Sequence, residues 1–257
     1  MLRPCIWANA KPIPNVQGES VPPDLFGGWT VQPGRFPPLP CSRQGLTADV
    51  APQWLAPDVA VLVVLVIASG NPAKVADIAA MLSDLPLDVQ QQPDGLSIEE
   101  TGSTYLDNAR LKAEAVAQLT GAWALADDSG LEVDALGGAP GVYSARYAGS
   151  DGERIARLLA ELGDTPYRSA SFNSAMALAA PDGTTVLEAQ GICRGEILHQ
   201  PMGQGAGYDP IFWVREAGCS YAELGEHLRR KLGSRGKAAR QMASELRQVL
   251  GLSSALS

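Results

Sequence analysis

Two adjacent carboxylates, Asp127 and Asp128, stand between apolar residues in Ala124-Leu125-Ala126-Asp127-Asp128-Ser129-Gly130-Leu131. Charges in such company are costly unless a cation or strong donors satisfy them. One of the pair can bind a hard cation while orienting or deprotonating water. A second acidic group, Glu99-Glu100-Thr101-Gly102, precedes Asn108 and Lys112, whose i,i+4 spacing puts them on one helix face. A carboxylate before a helix and a lysine on it can hold a metal–phosphate complex, and magnesium prefers one or two carboxylates plus phosphate oxygens. Read alone, the second pattern fits a solvated helix face better. For the Asp pair, the flanking apolar residues tip the balance toward chemistry.

Three further stretches could serve a phosphate ligand. Ser69-Gly70-Asn71-Pro72-Ala73-Lys74 follows an apolar run and opens a helix, which gathers backbone N–H groups and the positive end of the helix dipole. Lys74 opposes that dipole, and a locally unfavourable choice is a hint of function. An ordinary capped helix explains the same residues. Gly203-Gln204-Gly205-Ala206-Gly207-Tyr208-Asp209-Pro210 has the glycine density that permits close backbone approach to a planar or anionic ligand. There Tyr208 could pack on a base and Asp209 accept from a base or ribose; a surface loop is the bland alternative. Arg229-Arg230-Lys231, with Arg235 and Lys237, offers guanidinium forks for phosphate or a solvated face.

The elements that must position these residues can be read from periodicity. Val59 to Ala68 is an unbroken apolar run ended by a glycine turn, which predicts a buried strand. Asn71 as N-cap and Pro72 at the first position open a helix with Val75, Ile78, Ala79 and Leu82 on one face. A second helix is expected from Thr104 to about Leu119, and a short strand from Trp123 to Ala126, ending at the acids. Ser150 and Glu153 form a capping pair ahead of Ile155, Leu158, Leu159 and Leu162. Ser169–Ala179 and Thr184–Ile192 flank the turn Pro181-Asp182-Gly183 and read as an antiparallel pair. Ser220 and Glu223 form another capping box. A last helix is expected over Lys237–Leu250, with Ala239, Met242, Leu246 and Val249 inward. Parallel-type units followed by a hairpin predict an α/β fold on a mixed sheet.

Composition narrows the class. The chain has 257 residues, 46% of them hydrophobic, enough for one sizeable core or two joined lobes. Its net charge of −8 excludes a basic nucleic-acid footprint. Cys5, Cys41, Cys193 and Cys219 show no paired spacing, and His199 and His227 are the only histidines. Zinc and a disulfide framework are therefore not expected, and a reduced, cytoplasmic setting is. The Val59–Ala68 run is too short to span a membrane. Residues 1–58 hold 11 of the 19 prolines without helical or strand period. They read as a disordered extension or a mis-assigned start, ahead of a domain expected over 59–252.

The order and spacing of these motifs resemble one family. Ser69-x-Asn71-x-x-Lys74, Glu99-Glu100-Thr101-Gly102-x-Thr104, Asn108-x-x-x-Lys112, Ala126–Leu131, Gly137–Tyr147, Gly207–Phe212 and Arg235-Gly236 resemble the inosine/xanthosine triphosphate pyrophosphatases. The resemblance spans about Val61 to Leu250. It implies magnesium-dependent hydrolysis of non-canonical purine nucleoside triphosphates such as dITP and XTP to monophosphate and pyrophosphate. It also implies a two-lobed α/β fold on a long curved mixed sheet, a cleft between the lobes, and a homodimer. By motif, Ser69, Gly70, Asn71, Lys74 and Lys112 would bind the triphosphate. Glu100 and Asp128 would hold Mg2+, with Asp128 also the general base. Ser129 would touch substrate, while Ala206, Gly207, Tyr208, Asp209, Arg229, Ser234 and Arg235 would line the base pocket.

Two departures fall in that pocket. Gly205-Ala206-Gly207 replaces the family's Gly-Phe-Gly, and Gly233-Ser234-Arg235 replaces Ser-His-Arg. An aromatic ring and the histidine expected to read the 6-oxo edge are therefore missing. Altered base specificity, or a nucleotide-binding module with reduced catalysis, are the alternatives they raise.

Overall fold

Three of the seven strands alternate with helices along the first half of the described chain. The computed structural model describes residues 62–252. The extension expected over 1–58, and the first residues of the strand expected from Val59, lie outside them. Strand β1 (Val63–Ile67) leads through Asn71 into helix α1 (Pro72–Met81). Strand β2 (Leu87–Gln91) follows, and then helix α2 (Tyr105–Thr120), whose N-cap Thr104 accepts from the Asp107 N–H. Strand β3 spans Trp123–Val133, helix α3 Asp151–Leu162, strand β4 Ser169–Ala179 and strand β5 Thr185–Ile197. Short strands β6 (Phe212–Val214) and β7 (Cys219–Ser220) precede helices α4 (Glu226–Leu232) and α5 (Ser234–Val249).

The strands form one mixed sheet in the order β2-β1-β3-β4-β5-β6-β7. β1 runs parallel to β2 and β3, and every later pairing is antiparallel. The expected α/β architecture is therefore present. Among the described residues, no helix is long and apolar enough to cross a membrane.

Three differences from the sequence reading bear on the site. β3 does not end at Ala126 but runs on through both acids to Val133. β2 had no counterpart in the reading, because only Leu87 and Val89 mark its buried side. α5 begins at Ser234, three residues early, because its N-cap is Gly233 and no side chain announces it. On α5, Met242 and Leu246 are buried as expected, whereas Val249 is exposed.

The long strands β3, β4 and β5 each pass through two cores. On one face, Leu125, Met176, Leu178, Leu187 and Ala189 pack with Ile78 of α1 and Met242 and Leu246 of α5. Farther along, Leu131, Val133, Ala170, Cys193 and Ile197 pack with Leu158 and Leu162 of α3 and with Phe212. The opposite face near β1 is an alanine-rich layer: Ala124, Ala126, Ala177 and Ala179 against Ala109, Ala113 and Val116 of α2. Small side chains bring α2 close to the sheet. Between the two cores the strands carry Asp127, Ser129, Ser174 and Gly191, none of them apolar enough to join either.

Candidate active site

Side chains alternate across a strand, so the two acids of β3 point to opposite faces. Asp127 shares its face with Leu125, toward α1 and α5. Asp128 shares its face with Ala126, toward α2.

Asp127 is 1% exposed and fully charge-paired. Lys74 of α1 lies 3.1 Å from its Oδ2. Arg235 of α5 donates from Nε and Nη2 to the same oxygen, each at 3.2 Å, while its Nη1 reaches Asp77 at 3.0 Å. Ser129 Oγ donates at 2.8 Å. Burial pushes the Asp127 carboxyl up, but Arg235, Lys74 and Ser129 outweigh it and hold the group well below the usual carboxylate range. This carboxylate ties α1 and α5 to the sheet.

Asp128 is 6% exposed. Lys112 Nζ donates to its Oδ1 at 3.0 Å, and Asn108 Nδ2 to its Oδ2 at 3.2 Å. Lys112 also donates to Glu100 Oε1 at 2.9 Å and to the Asp127 carbonyl at 2.9 Å. All three ammonium protons are thus committed. Burial raises the Asp128 carboxyl above its ordinary value despite Lys112, and the nearby Glu100 charge adds to the rise. For Glu100, burial is outweighed by Lys112 and by Arg146, 2.8 Å away, and its carboxyl is lowered.

Local structure explains the placement. Asn108 Oδ1 accepts from the Gly102 N–H at 2.8 Å, which fastens the segment carrying Glu100 to the first turn of α2. Gly130 is required by close approach: a Cβ there would stand 2.5 Å from the Gly141 carbonyl oxygen and 2.8 Å from the Tyr105 ring. Asn71 caps α1 by accepting from the Ala73 and Lys74 N–H groups at 3.0 and 3.4 Å, and its own N–H donates to Ser69 Oγ at 3.2 Å. Gly70 of this loop is exposed.

A cleft of about 560 Å³ opens on the Asp127 face, lined among others by Lys74, Ser129, Tyr208, Arg229, Ser234 and Arg235. Asp209 also lines it, its Oδ2 2.9 Å from Arg229 Nη1. Burial raises the Asp209 carboxyl although Arg229 opposes the rise. The Arg229 guanidinium lies 4.9 Å from the centre of the Tyr221 ring. Ala206 is exposed at the rim, and the Gly207 N–H donates to Asp151 at 2.6 Å. Tyr208 borders the cleft but is 5% exposed, with its hydroxyl donating to the Ser144 carbonyl at 3.1 Å, so its ring belongs largely to the core. A second cavity of about 570 Å³, near Val64, Gln90 and Trp123, is lined by no titratable side chain and offers nothing for this chemistry.

The structure thus gathers Lys74, Asp127 and Arg235 into one cluster and Glu100, Asn108, Lys112 and Asp128 into another. Sequence reasoning gave no role to Arg146, Asp77 or Ser174. Arg146 stood within a quoted motif; Asp77 and Ser174 carry no local signal.

The model of the Ham1 family matches residues 65–245. A protein of Synechococcus sp. (strain CC9311) named dITP/XTP pyrophosphatase is 55% identical over 188 residues, covering 73% of this chain and 91% of that one. One of the same name from Nostoc sp. (strain PCC 7120 / SAG 25.82 / UTEX 2576) is 49% identical over 191 residues, covering 74% and 97%. Among solved structures, a HAM1 protein from Coxiella burnetii superposes with a TM-score of 0.68 at 41% identity, covering 73% of this chain and 100% of that one.

Proposed function

This chain belongs to the Ham1 family, and from that premise we propose that it hydrolyses non-canonical purine nucleoside triphosphates, dITP and XTP foremost, to monophosphate and pyrophosphate. The observation that carries the reading is Asp128: a buried carboxyl, raised in proton affinity, facing Lys112 and Glu100 on a rigid strand. A carboxylate tuned upward is a better general base near neutral pH than an ordinary one.

Glu100 and Asp128 both contact Lys112 Nζ, at 2.9 and 3.0 Å, so the two carboxylates flank one ammonium group. Two hard oxygen donors meeting there, with phosphate oxygens to complete the shell, suit Mg2+. Held by Glu100 and Asp128 once Lys112 gives up one of them, the ion would neutralise charge on the triphosphate. Asp128 takes a proton from water as the water oxygen bonds to the α-phosphorus and the bond from that phosphorus to the bridging oxygen breaks. Lys112 has no free N–H, so engaging phosphate requires it to exchange one of its three acceptors. Lys74 stands in the first turn of α1, whose Ala73 and Lys74 N–H groups would engage phosphate in exchange for Asn71 Oδ1. Positioning and electrostatics supply most of the acceleration.

Ala206 favours a second reading within the same chemistry. A methyl group at the exposed rim provides no ring for a base to stack on, so base discrimination is weaker or altered. Product analysis with magnesium on dITP, XTP, ATP, GTP and dUTP tests both. Monophosphate and pyrophosphate from dITP and XTP alone support the first reading. Turnover of all five keeps the chemistry and removes the selectivity. Nucleotide binding without turnover of any would leave a binding module.

A further inference from the structure

Register places Ser129 of β3 opposite Ser174 of β4, and Ser174 opposite Gly191 of β5. Gly191 has no side chain for a reason: a Cβ there would collide with the Ser234 carbonyl. The bare backbone lets the N-terminus of α5 settle onto the sheet. Ser234 Oγ thereby comes within 2.8 Å of Ser174 Oγ, which lies 3.2 Å from Ser129 Oγ, which lies 2.8 Å from Asp127 Oδ2. Four polar groups form a line across the sheet, with Ser129 half-buried, Ser174 3% and Ser234 6% exposed.

The direction of this line follows from counting protons. Each serine hydroxyl has one proton to donate. Asp127, between Lys74 and Arg235, is a carboxylate and only accepts. Ser129 therefore spends its proton on Asp127. Ser174 spends its own on Ser129. The contact between Ser174 and Ser234 can then be made only by the Ser234 proton. Ser234 lines the cleft, and what remains to face a ligand is lone pairs.

We propose that Ser174 is a positioning residue that fixes Ser234 as a hydrogen-bond acceptor toward the cleft, so that the ligand group opposite Ser234 is an N–H of the base. A solvated serine rotates and serves either partner; this one has its sense set from β4. The proposal rests on the reading that a purine nucleotide fills the cleft, and it concerns which edge of that purine is favoured.

The test compares inosine triphosphate, which carries an N1–H, with purine riboside triphosphate, which has no N–H on that edge. Both kcat/KM with magnesium and Kd in EDTA are measured for the native protein, Ser234→Ala and Ser174→Ala. The native protein favours inosine triphosphate. Ser174→Ala frees the Ser234 proton and lowers that preference roughly two- to tenfold, as does Ser234→Ala, in keeping with one hydrogen bond. Ser174→Cys keeps the bulk with a sulfur that accepts only weakly from Ser234 and gives an intermediate ratio. A Ser174→Ala protein that loses affinity for both nucleotides by one factor, or keeps the native ratio, overturns the proposal. Absence of turnover with the Kd ratio intact removes the pyrophosphatase reading and leaves the acceptor assignment standing. Failure of both nucleotides to bind, together with no turnover of either in magnesium, overturns both.

Discussion

Asp127 and Asp128 are consecutive in β3 and both buried, yet Arg235, Lys74 and Ser129 hold the first carboxyl well below its ordinary value while burial lifts the second above its own. The strand's alternation separates them. Asp127 meets two cations and a hydroxyl on the face of α1 and α5. Asp128 meets one cation on the α2 face and shares it with Glu100. Charge balance decides the outcome: two cations on one carboxylate make an anchor, and one cation between two carboxylates leaves a group that can accept a proton. On the proposed function, chemistry falls to Asp128 and attachment to its neighbour Asp127.

The comparison is sharpest under exchange of each acid for its amide. Asp128→Asn removes the base while Lys112 keeps Glu100 and the Asp127 carbonyl as partners. Turnover of dITP falls on the order of 10³-fold, with the melting temperature little changed. Full activity in the purified variant, measured as pyrophosphate release, would move the base elsewhere.

Asp127→Asn reverses the pattern. Lys74 and Arg235 lose the charge they share, which costs about 3 kcal/mol of folding stability, the low end for breaking a buried pair because both cations keep some solvent contact. Turnover per folded molecule falls far less than in Asp128→Asn. The effect has a pH signature. Because the folded-state pKa of Asp127 is depressed, its contribution is fully present above the unfolded carboxylate value of about 4 and is lost as pH falls from there toward the folded value. Urea midpoints at pH 7 and pH 3 should show a smaller gap between native and variant at pH 3, with much of it remaining because the depressed folded-state value lies lower still. An equal gap at both would mean that ion pairing is not what Asp127 supplies.

That division was only partly legible in the sequence. The acids themselves stood out because apolar neighbours made them expensive. Their assignment to opposite faces did not, because Asp-Asp-Ser-Gly reads locally as a turn that ends a strand. What lets the strand continue is supplied from far along the chain: Lys74, Lys112 and Arg235 pay no visible tribute to β3 in their own segments. The start of α5 was hidden for a related reason, since Gly233 caps it without a side-chain bond, and Ser234-Arg235-Gly236 looks like loop. By contrast, α1 and the β4–β5 hairpin were readable because their signals are local: Asn71-Pro72 at one, Pro181-Asp182-Gly183 at the other. Contacts between distant segments, Ser174 with Ser234 among them, leave no periodic trace.

Asn71 gives the smallest effect and refines the same contrast on the α1 side. Its Oδ1 holds the Ala73 and Lys74 N–H groups, the donors that a phosphate at this helix N-terminus would also use. Asn71→Ala removes the cap and costs about 1 kcal/mol of stability. It also uncovers those donors and leaves Lys74 paired with Asp127. If Asn71 acts chiefly as a cap, the variant melts earlier while KM for dITP holds or falls slightly. If its side chain instead contacts the triphosphate directly, KM rises with little change in kcat, since that contact would bind ground and transition states alike. The melting temperature and KM therefore move independently in this variant, and their joint reading assigns the residue to the anchoring side of the site or to the substrate.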